Sequence, residues 1–172
     1  GGLIDVYQAT TQMTDESGQT FPSNIDALLN NAVGSQGYYG VFTANMHTDT
    51  AAHAGSDAIG ASAQARGVPI VSAKQMLTWL DGRNGATFSS ITWGGGALGF
   101  TLTQPAGAAG LQILVPAQST VGPISTITRA GTNVPYTVQT IKGVSYASFM
   151  SQSGAHVVTY SGAAPPDTAI TA

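Results

Sequence analysis

Asn45, His47, Asp49 and His53 stand within one short stretch, GYYGVFTANMHTDTAAH, just after a β-prone run from Tyr38 to Phe42. Histidine is the side chain whose ordinary pKa lies near neutrality, so it can give or take a proton under mild conditions. A carboxylate that holds one ring nitrogen leaves the other for chemistry. Asp49, two residues past His47, is the carboxylate nearest in sequence. The pair reads as a general acid, His47, with Asp49 to orient its ring. The plainer alternative is a loop histidine that only hydrogen-bonds backbone. His47 and His53 are six residues apart. That is no recognised ligand spacing, and a usable metal site needs three or more converging ligands. No metal ligands are therefore assigned in this chain, and His53 reads as a polar loop residue.

The other candidates are weaker. Asp15 and Glu16 are adjacent, so their side chains point apart, and a solvated loop accounts for them. Glycosidase chemistry needs two facing carboxyl groups about 5–10 Å apart, an arrangement that adjacency does not supply. Gly94-Gly95-Gly96 is followed by no Lys-Ser/Thr and no helix, so it reads as a hairpin turn and not a phosphate cradle. Trp79 and Trp93 have faces suited to stacking on sugar rings, but packing in a core or between domains explains both more simply. His156 sits in a final strand-like run with Val157 and Val158 and reads as structural or solvent-facing.

Composition narrows the function. Of 172 residues only 8% are charged, against a usual value near 25%, and the net charge is −3. Phosphate backbones and anionic membranes both select for clustered lysine and arginine, so neither nucleic acid nor a membrane surface is an expected partner. There is no cysteine, which excludes disulfides, thiolate metal sites and a cysteine nucleophile. A neutral surface of Ser, Thr, Asn, Gln and Gly suggests a secreted protein. No apolar run approaches the ~20 residues of a membrane span. The abrupt Gly1-Gly2 start and the GAAPPDTAITA end are those expected of a piece of a longer protein, with 162–172 an interdomain linker.

Hydrophobic spacing places these residues on elements. Leu3 to Tyr7 reads as a strand, followed by the polar loop QATTQMTDESGQTFPS. Ile25, Leu28, Leu29, Ala32 and Val33 recur at helical spacing between a Ser23 or Asn24 cap and Gly34. Tyr38 to Ala44 reads as a strand, Asp57 to Arg66 as a helix capped by Ser56, Val68 to Val71 as a strand and Ala73 to Asp81 as a helix. Alternating strands and helices imply a parallel sheet. After Asn84 the rhythm changes to short strands and frequent turns. Seven are expected: 88–93, 97–103, 111–115, 123–129, 134–141, 144–150 and 156–160. Such spacing points to an antiparallel immunoglobulin-like β-sandwich over 84–161. The fold class is then α+β in two parts, an α/β segment over 1–83 and a sandwich.

VFTANMH, a polar loop, a helix, RGVPIVSAKQML and a closing helix resemble the C-terminal end of polysaccharide deacetylase-like domains, which are distorted (β/α) barrels. DVYQATTQMTDES is similar to the same region of large secreted actinobacterial-type proteins that carry such a domain. GLQILVP, SITRAG, VQTIKGVSYASF and VVTY are similar to the β-sandwich that follows it. The resemblance implies a secreted hydrolase acting on a polysaccharide or other glycan, with a divalent metal such as zinc in the full-length protein. It implies that His47 is the late general acid that protonates a leaving amine or alcohol. Asp5 matches a carboxylate or orienting position, and Asn45 and Tyr7 fall where substrate would be contacted. The family's metal-binding motifs, Thr-x-Asp-Asp and His-x-x-x-His, do not occur here, so activity of this chain alone is not expected. The alternative is a non-catalytic spacer or glycan-binding sandwich with an inactive α/β remnant. An incomplete parallel sheet would leave an open edge, which is expected either to pair in a homodimer or to be covered by the β-sandwich.

Overall fold

The structure, a computed structural model, describes residues 6–37, 40–49 and 52–162. It is α+β, mostly antiparallel sheet with three short helices. The chain divides into two compact units, Gly1–Ala73 and Lys74–Ala172.

The first unit runs β1 (Thr11–Thr14), a single 3-10 turn (Asp15–Ser17), α1 (Ser23–Val33), β2 (Thr43–Asn45) and α2 (Ala54–Ala65). β1 and β2 pair in parallel, with α1 as the crossover. Helix α1 buries Ile25, Leu29 and Ala32, the stripe that its spacing predicts, and Gly34 closes it by donating its N–H to the Asn30 carbonyl. Met13 of β1 and Ala63 of α2 complete a small core, with Phe21, Leu28, Phe42, Ile59 and Val68 packed around it. Asp26 of α1 meets Arg66 just past α2 at 2.9 Å and also accepts from Ser62 Oγ at 2.8 Å.

Two of the expected elements of this unit form differently, and a third lies mostly outside the described residues. Of the run Leu3 to Tyr7, Leu3, Ile4 and Asp5 lie outside the described residues, and Val6 and Tyr7 are exposed and irregular. The first strand among the described residues comes from TQMT, inside the predicted loop. Met13 alone carries its burial, and one apolar residue among threonines and a glutamine leaves no alternation to read. The second strand is shorter than expected, Thr43–Asn45 only, and Tyr38 and Tyr39 lie outside the described residues. Val68 to Val71 is not a strand. Val68 donates its N–H to the Ala63 carbonyl as α2 unwinds, Pro69 has no N–H for a ladder, and Ile70 and Val71 are exposed. The three-stranded parallel pattern thus reduces, among the described residues, to one parallel pair.

Among the described residues the second unit holds α3 (Ala73–Asn84, apart from its first residue) and nine strands: β3 (Thr87–Gly94), β4 (Ala97–Thr103), β5 (Gln112–Pro116), β6 (Gln118–Ser119), β7 (Gly122–Arg129), β8 (Thr132–Asn133), β9 (Thr137–Ile141), β10 (Val144–Met150) and β11 (Gly154–Tyr160). One sheet has the order β3-β4-β11-β7-β6, with β8 also on β7, and the other β5-β10-β9. Every pairing in these two sheets is antiparallel. The alternation in the sequence is that of the core. Phe100, Leu102, Ile127, Val158 and Tyr160 of the larger sheet meet Ile113, Val115, Ala147 and Phe149 of the smaller. Two tyrosine hydroxyls cross from their own segments to backbone carbonyls, Tyr160 to Pro116 at 3.0 Å and Tyr136 to Ile124 at 3.3 Å. Two-residue hairpins close β3–β4 at Gly95-Gly96 and β9–β10 at Lys142-Gly143, both central residues of each having positive φ, as turns matched to strand twist require.

Helix α3 extends to Asn84, three residues beyond Asp81, and packs on the loop between β4 and β5. Trp79 Nε1 donates to the Ala109 carbonyl at 3.0 Å. Gly82 lies against the same loop so closely that a Cβ there would stand 2.5 Å from Ala108 N and 2.9 Å from the Ala106 carbonyl oxygen. The division between units accordingly falls after Ala73, the first residue of α3, where the rhythm of the sequence places a boundary after residue 83. Because backbone atoms on both sides must give way, Gly82→Ala is expected to destabilise the second unit by about 1–3 kcal/mol. The check is the urea midpoint of the β-sheet transition. Gly60→Ala on α2, whose added methyl meets nothing within 4 Å, should instead stabilise the first unit by roughly 0.5–1 kcal/mol.

Candidate functional site

A parallel pair brings the carboxyl ends of both its strands to one edge, and in α/β folds that edge carries the polar residues that meet ligands. Here Thr14 stands opposite Asn45 in the last register step of β1 and β2. The chain after β1 turns at Asp15. The chain after β2 reaches His47 two residues later. The two side chains meet: His47 Nδ1 lies 3.0 Å from Asp15 Oδ1 and 3.1 Å from Oδ2, and the His47 backbone N–H donates to Oδ2 at 3.1 Å.

A carboxylate can only accept, so Nδ1 carries the proton and Asp15 fixes both the ring and the backbone that bears it. The local chain holds Asp15 in turn. Thr14 caps the 3-10 turn, its Oγ1 accepting the Glu16 N–H at 3.1 Å, and Ser17 Oγ donates to the Thr14 carbonyl. The Asp15 side chain is only 14% exposed, while that of His47 is 50% exposed. Among the described residues none hydrogen-bonds to His47 Nε2, so that nitrogen is the one available to a reacting group.

The two groups shift each other's titration. The hydrogen bond from His47 holds the Asp15 carboxyl below its ordinary range. The Asp15 hydrogen bond raises the His47 pKa, and the negative charges of Asp15, Glu16 and Asp49 add to it. A histidine so placed carries its proton to higher pH than usual and is set up as an acid at Nε2.

The residues singled out in the sequence separate accordingly. His47 is in the pair. Asp49, the expected orienting partner, is not. It is exposed and acts on His47 only as a nearby charge, because two residues along an irregular chain do not bring a carboxylate round to Nδ1. Asp15, read as a solvated loop residue, takes that role. Asn45 ends β2 with its side chain exposed, Tyr7 lies exposed before β1, and Asp5 falls outside the described residues. His53 is the N-cap of α2, its Nδ1 accepting the Ser56 N–H at 3.3 Å, in place of the expected Ser56 cap. The signal for Asp15 was present but indirect. It needed β1 placed on TQMT and paired in parallel with β2, and only then do residues 15 and 47 fall on one edge.

Two recesses of the surface lie elsewhere. One of about 450 Å³ is lined by residues from Ser125 to Tyr136, and one of about 390 Å³ lies beside Asp26, Ser62 and Arg66. Among the described residues no three His, Asp or Glu converge in a way that could hold a metal ion. No described helix is long and apolar enough to cross a membrane. No family model, no curated protein and no solved structure matches this chain.

Proposed function

We propose that Asp15 and His47 are the proton-donating limb of a hydrolytic centre in a secreted carbohydrate-active protein of the polysaccharide deacetylase-like kind. In this reading the first unit is the closing part of a (β/α) domain. The second is an immunoglobulin-like β-sandwich attached to it. The observation that carries the reading is the charge-assisted pair itself, placed at the carboxyl edge of two parallel strands. The pair holds a half-exposed imidazole whose Nε2 bonds to none of the described residues.

The chemistry assigned to these residues is proton transfer. As the C–N or C–O bond of a tetrahedral acyl intermediate breaks, the Nε2 proton passes to the departing nitrogen or oxygen, and His47 becomes neutral. Asp15 keeps the Nδ1 proton in place throughout, which fixes the tautomer. The half-exposed ring then recovers its proton from solvent. The described residues do not fit the divalent metal that the resemblance implies, so no step is assigned to one here; in this reading its ligands belong to other parts of a longer protein.

The test is acetyl release from an acetylated amino-sugar oligomer by a longer protein containing this stretch, with His47 and with His47→Ala. Equal release by the two sinks the reading. One observation favours the alternative of a glycan-binding module: Phe88, Ile91 and Trp93 on edge strand β3 are all more than half exposed. Under that alternative, binding of the 172-residue chain to the oligomer is lost in Trp93→Ala and unaffected by His47→Ala.

A further inference from the structure

The ladder between β1 and β2 contains an irregularity on a residue that the proton transfer does not use. Thr11 pairs with Thr43 and Met13 with Ala44, so β1 takes two residues where β2 takes one. Gln12 is the extra residue. A bulge interrupts the ladder and leaves a backbone group facing it without its regular partner. Here Gln12 supplies the partner itself, its side-chain Oε1 accepting the Thr43 N–H at 2.7 Å. Its own backbone carbonyl accepts from Gln19 Nε2 at 2.9 Å, just beyond the turn that carries Asp15. Gln12 is thus tied to β2 on one side and to the segment after Asp15 on the other.

Register decides which residue Asp15 meets. With the bulge, Thr14 stands against Asn45 and the Asp15 carboxylate spans the backbone N–H and Nδ1 of His47. Without it, Thr14 would stand against Met46, and the residues after Gln12 would present opposite faces to β2. We propose that Gln12 is a positioning residue for the Asp15–His47 pair, its side-chain amide a register clamp that holds the carboxylate at the depth of the imidazole. That the pair donates protons to a substrate rests on the functional reading above; the clamp does not.

The experiment is an NMR titration of His47 in the 172-residue chain, a readout that needs no substrate. Gln12→Leu keeps the bulk and removes the acceptor. The His47 pKa should fall most of the way to its value in Asp15→Asn. Gln12→Glu keeps an oxygen for the Thr43 N–H and should leave the His47 pKa raised. A part played only in stability would lower the melting temperature and leave the His47 titration in place. An unshifted His47 in Gln12→Leu, with the Ile25 and Leu29 methyl signals still those of the folded unit, overturns the proposal. If Gln12→Leu does not fold, two measurements decide. Gln12→Asn, one methylene too short to reach, must lower the His47 pKa, and the Thr43 amide of the unaltered chain must be protected from exchange. Either failing overturns the clamp. Absence of hydrolysis by a longer protein, with the titration behaving as stated, counts against the functional reading alone.

Discussion

Replacing His47 by alanine in a longer protein that carries this stretch is expected to lower kcat for acyl release by about 10²- to 10⁴-fold, the usual contribution of one positioned acid. In the proposed step the proton is given up only as the leaving group departs, so the loss should appear in kcat and kcat/KM together, with little change in KM. Asp15→Asn makes the finer test. The amide oxygen can still accept from Nδ1, but only as a weaker, uncharged acceptor, so the hydrogen bond that chiefly raises the His47 pKa is weakened and the Asp15 charge that adds to it is gone. The alkaline limb of the rate profile, where the acid loses its proton, should therefore move to lower pH. The pair's stability follows the same signs. His47 has a raised pKa, so its contribution is complete below the ordinary 6.5 and is lost as pH rises through the raised value. Asp15 has a lowered pKa, so its contribution is complete above the ordinary 3.8 and is lost as pH falls through the lowered value. Both are present together between those ordinary values, and Asp15→Asn should flatten the pH dependence on either side. A rate profile whose alkaline limb stays in place would assign that limb to another group.

How far the residues themselves disclose this arrangement differs between the two halves. In the second unit four strands each contribute two alternating apolar side chains to one core, Phe100/Leu102, Ile113/Val115, Ala147/Phe149 and Val158/Tyr160, and such pairs announce both strand and facing. The hairpins are marked by Gly95-Gly96 and Lys142-Gly143, whose backbone conformation glycine favours. The first unit offers no such redundancy. Its core rests on single residues, Met13 from β1 and Ala63 from α2, and a strand anchored by one side chain has no period. The helix α1 is legible because three of its residues are buried on one stripe. His47 was legible from its type and its place after β2. Asp15 was not, because its partner lies 32 residues away and the link is a parallel ladder with a bulge in it. Local spacing favours Asp49; only tertiary pairing selects Asp15.

His156 supplies the second large expected effect, and it concerns the opposite response to acid. The residue is 1% exposed and lies flat on Phe100, ring centroids 5.0 Å apart, with Phe149 tilted against it. Its Nδ1 is 3.0 Å from the Gly154 carbonyl. A carbonyl can only accept, so Nδ1 bears the hydrogen and Nε2 is left as a buried lone pair without a partner among the described residues. Protonating Nε2 would place a charge among aromatic rings with nothing to receive its hydrogen. Burial accordingly lowers the His156 pKa, and the charge of Arg129, opposite it on β7, acts in the same direction. The sign follows from linkage. Below the ordinary value of 6.5 the unfolded chain takes a proton that the folded one refuses, so stability is complete above that value and falls as pH is lowered toward the folded pKa. Within that window each pH unit costs about 1.4 kcal/mol. His156→Phe, which keeps an aromatic ring and removes the titrating nitrogen, should abolish this part of the acid sensitivity. The measurement is the urea midpoint of the β-sheet transition from pH 7 downward in both proteins. The curves should separate as acid is added, the unaltered chain falling faster; parallel curves would mean that some group other than His156 governs how this core responds to protons.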